Sequence, residues 1–186
     1  MTLLVLVGPA GVGKGTVVQE ILKTQPDFML SVSATTRSPR PGEQDGTHYH
    51  FVTKNDFEEM ISAGQLLEWA QVHGDHYYGT PRSELERAAG EAKHLILEID
   101  LQGARQVASK HEDQLQVFLL PPGWDELERR LRNRATETEE QIQTRLSTAR
   151  QELAAAGEFR HQLVNDSVQG TAAEIVGLVR EHERGS

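Results

Sequence analysis

The stretch that decides the fold is LLVLVGPAGVGKGT, from Leu3 to Thr16. The apolar run from Leu3 to Val7 predicts a strand that is buried on both faces, as in a parallel sheet. After the glycines, apolar residues recur at helical spacing, which predicts an amphipathic helix directly beyond Lys14. Strand, glycine-rich turn and helix in this order predict an α/β protein with a parallel-sheet core flanked by helices.

The turn inside this stretch matches the phosphate-loop pattern GxxxxGK. Gly8 and Gly13 stand at its ends, so that the backbone amides can point inward while Lys14 reaches over them. An ordinary glycine-rich turn is the alternative, but the position between a strand and a helix favours a phosphate site. Gly15 stands where a Ser or Thr hydroxyl for magnesium is expected, and whether Thr16 or water serves the metal stays open.

Composition bounds the class of protein. The chain has 186 residues, a formal net charge of −9 and no cysteine. The charge argues against general binding to nucleic acid or an anionic membrane, and the absence of cysteine excludes disulfides and thiol chemistry. Its apolar runs are far too short to span a bilayer, so we expect a single cytoplasmic domain without membrane partners. Monomer and homo-oligomer both remain open.

Two arginines in SATTRSPRPGE, residues 33–43, suggest a second anion site. The two prolines of this segment favour an extended path, on which Arg37 and Arg40 project to the same side. Two converging guanidinium groups suit a terminal phosphate. The alternative is a pair of solvated loop arginines.

An acidic residue interrupts the apolar, strand-like run from Leu66 to Val72. Glu68 there either points to solvent or faces a ligand that offers paired N–H donors. Farther along, Thr80 and Pro81 predict the N-cap and first position of a helix that runs to about Ala89.

KHLILEID, from Lys93 to Asp100, predicts another parallel strand that ends in acids. Ligands collect at the carboxyl ends of strands in open α/β sheets, so Glu98 and Asp100 are candidates for steering magnesium or substrate. Asp100 could instead only cap the helix that begins at Leu101. The run from Leu115 to Leu120 predicts a third strand of this kind.

The charge-dense segment from Asp125 to Arg150 predicts helices with a solvated face. Arg129, Arg130 and Arg132 are interpreted as members of ion pairs on that face. Arg134 differs, because the residues that follow it indicate a break between two helices, as in a mobile lid.

Taken together, these stretches resemble the guanylate kinase family across nearly the whole chain. The motifs that carry the resemblance are GPAGVGKGT (8–16), SATTRSPRPGE (33–43), DGTHYHF (45–51), EWAQVHG (68–74), YYGTP (77–81), LEIDLQGA (97–104), RNRATETEE (132–140) and VND (164–166). No single motif is specific for this family, but the complete set of motifs in this order is.

The resemblance implies a nucleoside monophosphate kinase fold in three parts. These are a phosphate-loop core at residues 1–32, 83–123 and 152–186, a GMP-binding insert at 33–82, and a helical lid at 124–151. The implied reaction transfers the γ-phosphoryl group of ATP, with Mg²⁺, to GMP or dGMP.

The resemblance also implies a role for each matching residue. Lys14, Arg134 and Arg145 would be catalytic, and the ATP site would comprise Gly8, Pro9, Ala10, Gly11, Val12, Gly13, Lys14, Gly15, Thr16 and Asn165. The phosphate of GMP would be held by Arg37, Arg40, Tyr49 and Tyr78, and guanine would be recognised by Ser33, Glu68, Thr80 and Asp100. Magnesium would be held by Thr16, directly or through water, and by Glu98 through water.

Two alternatives stay open on the sequence. A guanylate-kinase-like module without catalysis would use the monophosphate site for phosphopeptides, but such modules lose the loop lysine or lid arginines, which are present here. A kinase with the same fold could act on another phosphate acceptor. The residues implied to recognise guanine argue against this alternative, namely Ser33, Glu68 and Thr80.

Overall fold

A computed structural model describes residues 1–72, 75–133 and 138–185. No helix in these ranges is long and apolar enough to cross a bilayer. The strands are β1 (Leu3–Val7), β2 (Phe28–Leu30), β3 (Ala34–Thr35), β4 (His50–Phe51), β5 (Leu66–Val72), β6 (His76–Pro81), β7 (His94–Glu98), β8 (Leu115–Leu120) and β9 (His161–Val164). The helices are α1 (Lys14–Thr24), α2 (Lys54–Ser62), α3 (Ser83–Gly90), α4 (Leu101–Lys110), α5 (Trp124–Arg132), α6 (Glu139–Ala154) and α7 (Val168–Gly185), with a short 3₁₀ helix at Ala156–Glu158.

The core is a parallel sheet of five strands in the order β2-β7-β1-β8-β9. Every residue of β1 is buried, because this central strand packs on both faces. One face packs with α1 and α7, and the other packs with α3, α4 and the 3₁₀ helix. The predicted α/β class with helices flanking a parallel sheet is confirmed.

Parallel pairing sets where the polar ends of the strands lie. β1 pairs with β7 on one side and β8 on the other, so the residues that follow these strands meet at one edge of the sheet. The loop that precedes α1 and the acids at the carboxyl end of β7 are therefore neighbours. The bounds predicted for β1, β5 and β8 agree with the observed strands.

A second, mixed sheet of four strands, in the order β4-β3-β6-β5, lies beside the core. Its strand β5 is attached to α4 through Gln106, which donates to the carbonyl of Trp69 at 2.7 Å and accepts from the Trp69 amide at 3.2 Å. Lys110 adds a bond to the carbonyl of Leu67 at 3.2 Å. These bonds fix the small sheet, and the side chains that it carries, against the core.

The helix predicted to start at Thr80 and Pro81 begins later, so that prediction is wrong. Thr80 and Pro81 belong to β6, and α3 starts at Ser83. Thr80 pairs with Glu68 across the β5–β6 hairpin and uses its hydroxyl there, so strand pairing prevails over the local capping signal.

Helices α5 and α6 pack on each other around Leu127, Leu131, Ile142, Leu146 and Ala149. Helix α6 starts with a capping box, in which Thr138 and Gln141 each satisfy the other's backbone amide. The break predicted after Arg134 falls on residues 134–137, which lie outside the described residues.

A buried histidine ties the first strand to the last helix at the edge of the sheet opposite to the loop. The amide of Thr2 donates to Nδ1 of His94 at 3.1 Å, and Arg180 lies 2.8 Å from Nε2. Burial lowers the pKa of His94 below its ordinary value of 6.5. Asp27 and Glu183 approach Nε2 at 3.7 and 3.5 Å and partly oppose this shift.

We predict that His94 makes the fold sensitive to acid. Its folded pKa is below the unfolded value, so the unfolded chain binds more protons and stability is lost as the pH falls below 6.5. His94→Asn, whose carbonyl oxygen can replace Nδ1 as acceptor, should reduce the slope of unfolding free energy against pH between 7 and 5, by up to about 1.4 kcal/mol per pH unit. Urea unfolding at several pH values measures this slope, and equal slopes in both proteins would contradict the prediction.

Candidate active site

The loop between β1 and α1 brings its backbone very close to two neighbours. A Cβ at Gly8 would lie 2.6 Å from the carbonyl oxygen of Leu119, and one at Gly13 would lie 2.6 Å from the side-chain nitrogen of Asn165. Both glycines also have positive φ, at 149° and 102°. No other residue type fits these two places, so the glycines of the phosphate-loop pattern follow from packing as well as from the turn.

Side chains from distant segments hold this loop. Asn165 donates to the carbonyl of Val12 at 2.8 Å, and Arg130 of α5 donates to the same carbonyl at 3.2 Å. Lys14 folds back onto the carbonyl of Gly8. Arg130 also pairs with Glu126 at 2.7 Å, as its sequence interpretation expects, but its contact with the loop was missed.

A cavity of about 290 Å³ opens beside the loop. Thr16 faces this cavity, together with a buried Asn165 whose Oδ1 has no hydrogen-bond partner within the described residues. An acceptor with no partner and a guanidinium group suit a polar ligand that extends from the loop. The lining residues are Gly11, Gly13, Thr16, Arg130, Asn165, Asp166 and Val168.

A second cavity, of about 410 Å³, lies between the small sheet and the carboxyl end of β7. It brings together every residue predicted to bind GMP except Thr80, which contacts Glu68 instead of lining the space. Glu98 lies in the same wall. The lining residues are Ser33, Arg37, Arg40, Glu43, Tyr49, Glu68, Ala70, Val72, Tyr78, Gly79, Glu98, Ile99 and Asp100.

Glu68 is the buried carboxylate of this cavity, with only 5% of its surface exposed. Thr80 donates its hydroxyl to Oε1 at 2.7 Å, while Gly103 of α4 leaves room for Oε2, since a Cβ there would lie 2.7 Å away. Burial raises the pKa of Glu68 to about 7. The negative charge of Asp100 also raises this pKa, whereas the hydrogen bond from Thr80 lowers it. The alternative in which Glu68 points to solvent is therefore wrong.

At the other end of the cavity, Arg37 lies between Tyr78 and Glu43. Its Nε donates to the Tyr78 hydroxyl at 3.1 Å, and its Nη1 and Nη2 donate to Glu43 at 3.0 and 2.8 Å. These bonds hold the pKa of Glu43 down at about 2. Arg40 is exposed, and its backbone amide also donates to Glu43 at 2.7 Å.

Tyr49 completes this end of the cavity. The Arg37 guanidinium lies 5.5 Å from the centre of its ring, and the ring of Tyr78 meets it edge-on at 6.0 Å. Burial raises the pKa of Tyr49, so its hydroxyl stays protonated and can donate. Sequence reasoning singled out both tyrosines and both arginines but missed Glu43, whose one signal is its place after the Pro41-Gly42 turn.

The two acids at the carboxyl end of β7, Glu98 and Asp100, face different surroundings. A Cβ at Gly15 would lie 3.6 and 3.7 Å from the two carboxylate oxygens of Glu98, so this side chain faces the first turn of α1. The Glu98 side chain is exposed, but its partial enclosure by the cavity wall raises its pKa, and Lys14 opposes the shift. Asp100 caps α4 by accepting from the amide of Gly103 at 2.8 Å, as its alternative role predicts, and it also lines the cavity.

The residues predicted to bind magnesium are divided between the two cavities. Glu98 lines the larger one and Thr16 lines the smaller one. Within the described ranges, no three His, Cys, Asp or Glu side chains are grouped closely enough to hold a metal by themselves.

Two further arginines, Arg134 and Arg145, were predicted to be catalytic. Arg145 is half-buried on α6 and lines neither of the two cavities. Arg134 lies outside the described residues.

Comparison with known proteins agrees with this geometry. The family model described as guanylate kinase matches residues 1–182. The chain is 53% identical over 177 residues to a guanylate kinase of Leifsonia xyli subsp. xyli, covering 95% of this chain and 70% of that protein. It is 49% identical over 179 residues to one of Cutibacterium acnes, covering 96% and 90%.

A solved structure gives the same result. The crystal structure of guanylate kinase from Anaplasma phagocytophilum superposes with a TM-score of 0.74 at 31% identity, covering 97% of this chain and 85% of that one. Sequence and structure together show that the chain belongs to the guanylate kinase family.

Proposed function

We propose that this protein is an ATP:GMP phosphotransferase, which moves the γ-phosphoryl group of ATP to the phosphate of GMP or dGMP and yields ADP and GDP. One observation carries the proposal. A single cavity holds a buried carboxylate, Glu68, at one end and the arginine–tyrosine set around Arg37 at the other. A nucleoside monophosphate has a base at one end and a phosphate at the other, which would match the carboxylate end and the arginine–tyrosine end of this cavity.

The base end suits guanine. Guanine offers N–H donors at N1 and N2, which a carboxylate accepts, and an O6 acceptor, which a hydroxyl satisfies. We assign the two donors to Glu68, with Thr80 holding its carboxylate, and we place Ser33 and Asp100 around the remaining edge of the base. Adenine would present a ring acceptor to Glu68 and leave a buried mismatch, which is the kind of error that such sites reject strongly.

The phosphate end suits a dianionic acceptor. Arg37 and Arg40 would neutralise the GMP phosphate, and the hydroxyls of Tyr49 and Tyr78 would donate to it. A phosphate monoester is already largely dianionic at neutral pH, so the attacking oxygen needs little help from a base. Catalysis then consists of holding two phosphates in line against their mutual repulsion.

The donor nucleotide would occupy the phosphate loop and the smaller cavity. Loop amides from Gly8 to Thr16 would bind the phosphates, with the N-terminus of α1 beneath them. The unpartnered Oδ1 of Asn165 supports a polar base in the smaller cavity. We assign Lys14 and the lid residues Arg134 and Arg145 to the transferring phosphoryl group, where they would spread its developing charge.

The residues near Glu98 fit a hydrated magnesium ion. Mg²⁺ in kinases is held by one or two carboxylates, by water and by the nucleotide phosphates. Glu98 faces the backbone of Gly15, where no side chain fills the space. We therefore propose that Glu98 holds the ion through water, and that Thr16 contributes from the other side. When bound, Mg²⁺ would neutralise charge on the ATP phosphates.

We further propose that three parts of the chain have different functions. Residues 1–32, 83–123 and 152–186 form the core, residues 33–82 bind the acceptor, and residues 124–151 act as a lid. Closure of the last two on the core would exclude water, which would otherwise hydrolyse ATP. We place the enzyme in the cytoplasm, where its nucleotide substrates are made and used.

The proposal is tested by measuring ADP and GDP formed from ATP, Mg²⁺ and GMP. Lys14→Ala should lower turnover by at least about a hundredfold while GMP binding stays within about twofold of wild type, because the lysine contacts only the transferring phosphates. Absence of turnover in the wild-type protein at any magnesium concentration would refute the function.

We predict that GMP binding weakens in acid because of Glu68. Its pKa of about 7 means that the carboxylate is mostly protonated at pH 6, and a protonated carboxyl cannot accept both guanine donors. The dissociation constant for GMP should rise about tenfold between pH 8 and pH 6. Glu68→Gln should remove this component, and calorimetry at several pH values measures it. The same pH profile in both proteins would contradict the role of Glu68.

We also predict that Gly15→Ser lowers the magnesium requirement. The new Cβ would meet Glu98 at ordinary van der Waals distance, so the serine fits and brings a hydroxyl to the site. The Mg²⁺ concentration for half-maximal activity should fall about threefold or more. Gly15→Ala is the matched control, because it adds the Cβ without the hydroxyl. An equal response in both variants would contradict the prediction, because the added hydroxyl would then have no part in holding the metal.

A further inference from the structure

The loop from Arg37 to Glu43 closes on itself through its last residue. The amide of Glu43 donates to the carbonyl of Arg40 at 3.0 Å, across a turn in which Gly42 has a φ of 88°. In the opposite direction, Oε2 of Glu43 accepts the amide of Arg40 at 2.7 Å. Residues 38–42 between these ends are exposed. Glu43 thus supplies the contacts that fold this exposed loop into one shape.

The same carboxylate occupies most of the donor capacity of Arg37. A guanidinium group has five N–H bonds. Two of them go to Glu43 at 3.0 and 2.8 Å, one goes to the carbonyl of Ser38 at 2.7 Å, and one goes to the Tyr78 hydroxyl at 3.1 Å. Among the described residues, the second N–H of Nη2 has no partner, so it can donate to a ligand. Arg37 is therefore fixed in place before any phosphate arrives.

We infer that Glu43 is a positioning residue for the acceptor phosphate: it fixes the guanidinium of Arg37 and the backbone of Arg40 in the orientation that receives GMP. This inference rests on the function proposed above. Pre-ordering matters because a long arginine side chain in an exposed loop would otherwise lose its rotamer freedom at the moment of binding. Because Glu43 already fixes the Arg37 side chain in the folded protein, this rotamer entropy is lost during folding and not when GMP binds.

The arrangement also suits a phosphate that has to react. Arg37 offers one N–H, and the Tyr78 hydroxyl, which accepts from Arg37, keeps its own proton to donate. A phosphate bound by single donors from several residues keeps an oxygen free to attack ATP. A bidentate contact from Arg37 would bind the attacking oxygen more tightly in the ground state without stabilising the transition state.

The opposite role for Glu43 would be that of a placeholder which the phosphate displaces. Displacement would break three hydrogen bonds, two to Arg37 and one to Arg40. The pKa of about 2 keeps Glu43 ionised throughout the working pH range, so protonation would not release it. The two roles predict opposite changes in GMP affinity when the charge is removed.

The experiment compares GMP with guanosine, which has the same base and no phosphate. Calorimetry should show that Glu43→Gln weakens GMP binding about tenfold and leaves guanosine binding unchanged. The KM for GMP should rise by the same factor, while the KM for ATP and kcat at saturating GMP stay within about twofold of wild type. Glu43→Asp, which keeps the charge on a shorter arm, should lose less affinity.

Glu158→Gln is the matched control. Glu158 receives a two-pronged contact from Arg105 in the same way, with Nε at 2.8 Å, but the pair is exposed and lines neither cavity. This variant should bind both ligands as the wild type does. Thermal unfolding of all variants establishes that they are folded.

Three results would overturn the inference. Equal weakening of GMP and guanosine would show that Glu43 only maintains the fold, tighter GMP binding would show that it is a placeholder, and unchanged GMP binding would show that it has no role. Failure of the proposed function is distinguishable, because it would appear in the wild-type protein as GMP binding no tighter than guanosine.

Discussion

The buried carboxylate of Glu68 is the constraint on which the arrangement of the larger cavity depends. A carboxylate with only 5% of its surface exposed costs desolvation energy, which its hydrogen bonds with Thr80 offset only in part. Three neighbours accommodate this carboxylate. Thr80 lies opposite Glu68 on the hairpin, Gly103 has no side chain that would collide with it, and Gln106 bonds β5 to α4. In the function proposed here, the N–H groups of guanine would donate to Glu68, so that binding would offset part of the desolvation cost of burying this carboxylate.

The donor side is organised by the backbone instead of by a buried charge. The loop after β1 passes so close to Leu119 and Asn165 that only glycine fits at Gly8 and Gly13. Asn165 and Arg130 then converge on a single carbonyl of the loop. Because Arg130 belongs to α5, this helix is attached directly to the loop.

Much of this architecture could be predicted from the sequence, since apolar runs and glycine spacing report local structure directly. The buried strands and the glycine loop are of this kind. The errors concern residues whose role is decided by partners far away in the chain. Thr80 resembles a helix cap until Glu68 is placed opposite, and Arg130 resembles a solvated surface residue until the loop is placed beneath it. Glu43 gave no periodic signal, because its role depends on the path of an irregular loop.

The central claim is that Glu68 selects guanine. It is tested most directly by measuring kcat/KM for GMP and for AMP, with ATP as donor, in the wild-type protein and in Glu68→Gln. We predict that the wild type prefers GMP by about 10⁴-fold, and that the glutamine variant loses about a hundredfold or more of that preference through its slower reaction with GMP. The same GMP-to-AMP ratio in both proteins would contradict the account, because the buried carboxylate would then have no part in reading the base.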